Sequence, residues 1–251
     1  MGIAMIGSIV ITILAMNTKN IKDYSFLLLQ INDSLFPIGG YSHSFGLETY
    51  IQKNIVYDKE TAELYIRRNL EGSFLYTELL SAFYAYDYSL CEDYEKIIEL
   101  ESIMRAVKTP REIREASEKL GTRFIKTIKN MNLGLPNDIF QNYIKLSEDK
   151  EVSNNHCIAY GVLCASANID KRQAMISYLY SSSSAIITNL VKTVPLSQLV
   201  GQEILSSLYP LFEIMIEKLY SLEESDIGLS MPGFEIKSMQ HEILYSRLYM
   251  S

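Results

Sequence analysis

The sequence predicts an all-α fold, a single-domain bundle of about eight to ten helices. Three observations carry this. Apolar residues recur at three- and four-residue steps along most of the chain. Helix start signals stand in front of several of those stripes. The period-two alternation of a half-buried strand nowhere persists beyond a few residues.

Tyr24 to Ile31 forms a short first helix. Ser42 and Ser44 are placed to cap a helix that holds Leu47 and Glu48. Asp58 caps a long helix from Lys59 to about Ala85, which carries Leu64, Leu75, Leu79 and Phe83. Thr109-Pro110-Arg111-Glu112 reads as a capping box: Thr109 as cap, Pro110 at the first helical position, Glu112 reaching back. Behind it Ile113, Ala116, Leu120, Phe124, Ile128 and Met131 form one apolar stripe, which ends before Gly134 and Pro136. Asn137-Asp138 opens a helix to about Leu146. Ile158 to Ala167 reads as a buried helix rich in small residues. A second box, Asp170 with Gln173, starts a long helix to Val194, where Pro195 breaks it. The next runs from Leu196-Ser197 to Leu208, and Pro210 starts another that carries Leu211, Ile214, Met215 and Leu219. Ser221 to Phe234 is acidic, then interrupted by Gly and Pro, and is not expected to be helical throughout.

The 251 residues are 48% hydrophobic, enough for a sizeable core, and carry a net charge of −7. That balance excludes nucleic acid as the main partner, since phosphate binding needs a basic excess. The three cysteines, Cys91, Cys157 and Cys164, make no disulfide framework and fit a reducing cytoplasm. Cys157 and Cys164 share a helix face and read as small buried apolar residues. The apolar stretch Ile3 to Ala15 is too short for a membrane span and lacks the basic start of a secretory signal. Residues 1–15 are therefore read as a doubtful extension upstream of a true start at Met16, with a disordered tail that starts at Met1 as the alternative. Residues 16–234 form the helical domain. Residues 235–251 form a C-terminal segment whose Ile236, Met239, Leu244, Tyr245, Leu248 and Tyr249 want a surface to bury against.

Catalytic signatures are missing. No phosphate-binding loop, nucleophile elbow, H-E-x-x-H or C-x-x-C occurs. The only histidines are His43, His156 and His241. His156 and Cys157 are neighbours and diverge on a helix, so no firm metal site is read, and His43 and His241 stand as weak candidates. Ser42 or Ser44 with His43 as base is the one nucleophile reading, and capping is the simpler role.

The most specialised segment is Leu35-Phe36-Pro37-Ile38-Gly39-Gly40-Tyr41-Ser42-His43-Ser44-Phe45-Gly46-Leu47-Glu48. It resembles a signature of the urease accessory protein UreF family. Two further motifs match that pattern in order: Lys192-Thr193-Val194-Pro195-Leu196-Ser197-Gln198 with Gly201-Gln202, and Met239 to Ser251. The likeness spans Phe26 to Ser251 and is nearest to Helicobacter-like members. Pro37, Gly39, Ser42, His43, Ser44, Gly46, Pro195, Gln198, Gly201 and Gln202 form its structural signature. The resemblance implies a cytoplasmic, dimeric adaptor that is not itself an enzyme and binds neither nucleic acid nor membrane. It implies binding to the scaffold UreD/UreH and recruitment of the GTPase UreG, so that nickel, handled by the complex and held tightly by no site in this chain, reaches apo-urease. Tyr41, Arg247 and Lys192 are then expected to receive the GTPase. Ile236, Met239, His241, Leu244, Tyr245, Leu248 and Tyr249 are expected to meet the scaffold. Two alternatives stay open: an adaptor that itself binds and passes nickel, and a helical enzyme using His43 and Ser44.

Overall fold

The computed structural model describes residues 24–40 and 46–245, and among them it contains helices and no strand. The helices are α1 (Ser25–Ile31), α2 (Leu47–Gln52), α3 (Lys59–Asn69), α4 (Leu80–Leu90), α5 (Tyr94–Val107), α6 (Arg111–Met131), α7 (Ile139–Glu148), α8 (His156–Ser166), α9 (Lys171–Thr193), α10 (Gln198–Ser207), α11 (Tyr209–Leu219) and α12 (Pro232–His241). The segment Leu70–Leu79 joins α3 to α4 in wider π turns, so α3 to α4 is one continuous rod. This is the all-α bundle the sequence predicts; α5 and α12 were not among the helices read from it.

At the centre lies α8. Every residue from Cys157 to Ser166 is buried. It packs along α4 and touches α5, α6, α7 and α9. The close approach to α4 depends on Gly161, where a Cβ would come within 3.0 Å of the Ala82 carbonyl oxygen. The π turns face the loop before α12. There the Tyr76 carbonyl accepts from the Gly228 amide at 3.0 Å, outside the helical ladder.

Several starts follow the sequence. Asp58 accepts from the Thr61 amide at 2.9 Å, and Asp170 from the Gln173 amide at 2.9 Å. Ser197 caps α10 through the Val200 amide. α9 ends at Thr193, before Pro195. One expected cap is absent. The Thr109–Glu112 box does not form: α6 is entered from Pro110 with no side-chain cap. Thr109 instead donates to Glu235 at 3.0 Å and Glu112 faces His241 at 2.7 Å, both on α12. Tertiary contacts have taken both side chains. α2 starts from Gly46 in the left-handed region; Ser42 and Ser44, expected to cap it, lie outside the described residues.

Among the described residues no single helix is long and apolar enough to cross a membrane. α10 and α11 together would pass on length and composition, but are bent by 42°.

Gly161→Ala should cost about 1–3 kcal/mol by overpacking against α4. Gly233→Ala, where nothing lies within 4 Å of the new Cβ, should be neutral or slightly stabilising. Urea unfolding of both variants checks the contrast; equal midpoints would contradict the packing argument.

Candidate partner-binding site

The C-terminal helix α12 rests on α2 and α6. Its amphipathicity is inverted for most of its length. At its start Phe234 packs its ring against Tyr50 and Tyr65, each at 5.6 Å between centroids. Beyond that, its two buried residues are polar: Ser238 and His241. Outward it presents Ile236 and Met239, and the chain beyond it presents Ile243 and a fully exposed Tyr245. Apolar side chains turned to solvent on a terminal helix mark an interaction surface rather than a core element.

Ser238 sits directly over Gly46. A Cβ on Gly46 would strike the Ser238 side chain and come within 3.0–3.4 Å of its Cα and Cβ, and the φ of 85° independently favours glycine. The glycine-rich loop and α12 are therefore in contact at the point where α2 begins. His241, 1% exposed, is clamped between two carboxylates: Nδ1 faces Glu112 Oε2 at 2.7 Å and Nε2 faces Glu48 Oε2 at 2.9 Å. Around the rim, Lys53 bonds Gln240, and Arg111 reaches Glu242 at 3.4 Å.

The body beneath holds a buried polar network. The Glu101 carboxylate of α5 accepts from the Tyr143 hydroxyl, the Ser153 hydroxyl at 2.8 Å, and both the amide and Nδ2 of Asn155. Asn155 is the N-cap of α8, so this carboxylate lies at the positive end of the central helix. Burial raises Glu101 above the usual carboxylate range, although these donors oppose it. The network continues from Asn155 Oδ1 through the Ser117 hydroxyl to buried Lys108. Lys108 pairs with Glu78 at 2.9 Å. Burial alone would neutralise both. The partner, with smaller help from Thr77 on Glu78 and from Cys157 and Glu101 on Lys108, outweighs it, which leaves Glu78 below and Lys108 above its ordinary value. Nearby, burial first and Lys108 second bring His156 down to about 4. Burial pushes the Cys157 and Cys164 thiols up to about 12, so both are inert packing groups.

The remaining predicted residues are placed as follows. Tyr41, Ser42, His43, Ser44, Arg247, Leu248 and Tyr249 lie outside the described residues. Lys192 is exposed in the last turn of α9. Pro195, Gln198 and Gln202 are exposed, whereas Gly201 is buried against Val191 of α9. Pro37 is exposed just before Gly39, which has a φ of 81° and lies beside the Arg123 guanidinium. Leu244 is half-buried, and His241 is buried. The expected segment boundary at residue 235 falls inside α12. Among the described residues no group of three or more His, Cys, Asp or Glu could hold a metal ion. His241 could not recruit its two glutamates to one ion, because they approach opposite sides of its ring.

Sequence reasoning missed Glu48, Glu101 and Lys108. A signal existed for Glu101: it shares the inward stripe of Ile97, Leu100 and Met104, where a carboxylate has no place unless it is paired.

The fold and this surface define an all-helical protein with an apolar terminal helix laid over a polar bed. The UreF family model matches residues 56–209. The chain belongs to the UreF family of urease accessory proteins.

Lys108→Met should lose about 3 kcal/mol, because it leaves Glu78 uncompensated, and adding Glu78→Gln should recover part of the loss. The deficit should shrink in acid. Without Lys108, burial raises Glu78 above its ordinary value, so the variant's carboxylate protonates as pH falls and ceases to be an unpaired buried charge. The wild type loses the pair's support only as pH falls further, through the lowered Glu78 value. Chemical denaturation at neutral and acidic pH checks both; a deficit under about 1 kcal/mol at neutral pH would contradict the pairing.

Proposed function

We propose that this chain is the adaptor of a urease-maturation complex. It dimerises, binds the scaffold UreD/UreH through its C-terminal segment and recruits the GTPase UreG, so that nickel reaches apo-urease. Membership in the UreF family supports the urease accessory role. The single structural observation that carries the adaptor reading is the outward apolar face of Ile236 and Met239, continued by Ile243 and Tyr245. Burying such side chains against a partner removes apolar surface from water, which favours association.

In this reading Leu244, Leu248 and Tyr249 extend the scaffold surface, and His241 anchors it from below. Tyr41, Arg247 and Lys192 receive the GTPase; the Arg247 guanidinium keeps its charge and can grip a carboxylate with two parallel bonds. Nickel is cargo of the assembly rather than a resident of this subunit, which works in the cytoplasm.

Co-expression with the scaffold and the GTPase, followed by size-exclusion chromatography with light scattering, tests the reading. The expected result is one complex containing two copies of this chain. Tyr41→Ala and Arg247→Ala should leave the dimer and scaffold binding intact while the GTPase elutes separately. GTPase retained by both variants would refute the assignment, and a lone monomer beside free partners would refute the adaptor reading itself.

A further inference from the structure

The π turns of Leu70–Leu79 cover 10 residues, long for a form that mostly occurs as single turns. A π bond closes over one residue more than an α bond, so the segment holds surplus chain inside an otherwise α-helical rod. The Leu80 amide marks where the ladder departs from α. It bonds the carbonyls of Leu75 and Thr77 and passes over that of Tyr76. The Tyr76 carbonyl accepts instead from the Gly228 amide at 3.0 Å.

Gly228 belongs to a strap, residues 221–231, that leads from α11 to α12. The Leu222 carbonyl accepts from the Tyr84 hydroxyl of α4 at 3.1 Å, and Glu224 meets Lys96 of α5 at 3.4 Å. Gly228 has a φ of 96°, and a Cβ there would lie 2.7 Å from Val107 Cγ2. Met231 sits over Gly72, where any side chain would strike it. The strap therefore meets the π turns at two points, the Tyr76 carbonyl and the bare backbone of Gly72. Lys218 of α11 steadies the same residue by donating to the Tyr76 hydroxyl at 2.6 Å.

Two positions past Tyr76, Glu78 is aimed into the bundle. It pairs with Lys108 at 2.9 Å, and buried Lys108 continues the chain of bonds to Ser117 and Asn155. We propose that Leu70–Leu79 is a register switch, held in its π form by the strap at Tyr76 and Gly72, and that this form presents Glu78 to Lys108. With the strap lifted, the Tyr76 carbonyl returns to the Leu80 amide. The surplus residue then passes along the rod, and Glu78 leaves the line of Lys108. Strap and core pair support each other, so weakening either weakens the other. The strap runs directly into α12, so movement of that helix is relayed to the centre of the bundle. The inference concerns the chain alone, so its failure is separable from that of the adaptor reading.

Gly228→Pro tests it in the full chain. Proline has no amide hydrogen and cannot adopt a φ of 96°, so the bond to Tyr76 is lost. A crystal structure of the variant should show the Leu80 amide on the Tyr76 carbonyl and the Glu78–Lys108 pair open. In urea, the midpoint shift caused by Lys108→Met should fall to about half or less in the Gly228→Pro background, because the pair is already parted. Val107→Ala is the control. It removes the side chain beside Gly228 but keeps the amide, and should leave the full shift. If Gly228→Pro does not fold, Gly228→Ala displaces the strap through the same φ and the contact with Val107, and is read in the same way. Retention of the π turns in the variant structure would overturn the switch. So would an undiminished Lys108→Met shift, or an equal reduction in the Val107→Ala background.

Discussion

The Glu101 carboxylate is the interaction on which the rest of the structure depends. It joins α5 to the start of α8 through the Asn155 amide and side chain, and to α7 through Tyr143. A carboxylate this deeply buried is costly unless its oxygens are saturated with donors. Here the donors come from two separate parts of the chain, Tyr143 of α7 and the Ser153–Asn155 turn before α8, and they meet the carboxylate only when α5, α7 and α8 are in register. Further along α8, Tyr160 donates to the Ala174 carbonyl at 2.9 Å and Ser166 to Asn137 at 2.8 Å, which leaves the N-terminal end of the helix free to shift. The polar knot at its N-terminus removes that freedom, and Gly161 sets its distance from α4 at the other side.

From that centre a series of polar contacts leads toward the C-terminal helix. Lys108, at the end of α5, is tied inward to Ser117 and Glu78, which fixes the entry to α6. The first turn of α6 then offers Glu112 to α12. The same turn is where the glycine-rich loop arrives, since Gly46, Glu48, Ser238 and His241 meet there. The two segments most distinctive in the sequence, far apart along the chain, thus share one small contact region. This gives a physical reason for glycine at position 46: any side chain there would lift α12 off its bed.

Most of the bundle was legible in the sequence because local signals agreed with the tertiary outcome. Asp58 and Asp170 cap as their spacing suggests, the α6 stripe faces the core, and Pro195 separates α9 from α10. Thr109 and Glu112 show why the remainder was hidden. Their spacing satisfies a capping box, but a contact made 129 positions later, between Glu112 and His241, takes the side chain instead. α5 escaped notice because Glu101 interrupts its apolar stripe, and its partners lie at Tyr143 and Asn155. The π turns of Leu70–Leu79 have no local cause; the Tyr76 carbonyl is drawn to Gly228, again a distant residue. Of the surface, the apolar side chains of the C-terminal segment were readable from composition. The inward turn of His241 was not, since nothing near it in sequence announces two carboxylates from other helices.

The most direct test of the central claim is the equilibrium unfolding of Glu101→Ala, followed in urea by near-UV and far-UV circular dichroism. If Glu101 organises the core, removing it strands the Tyr143, Ser153 and Asn155 donors. The loss should be at least about 3 kcal/mol, with a weakened near-UV signal from the tyrosine-rich interior. A loss below about 1 kcal/mol with an unchanged near-UV spectrum would mean that apolar packing alone positions α8, and would contradict this account.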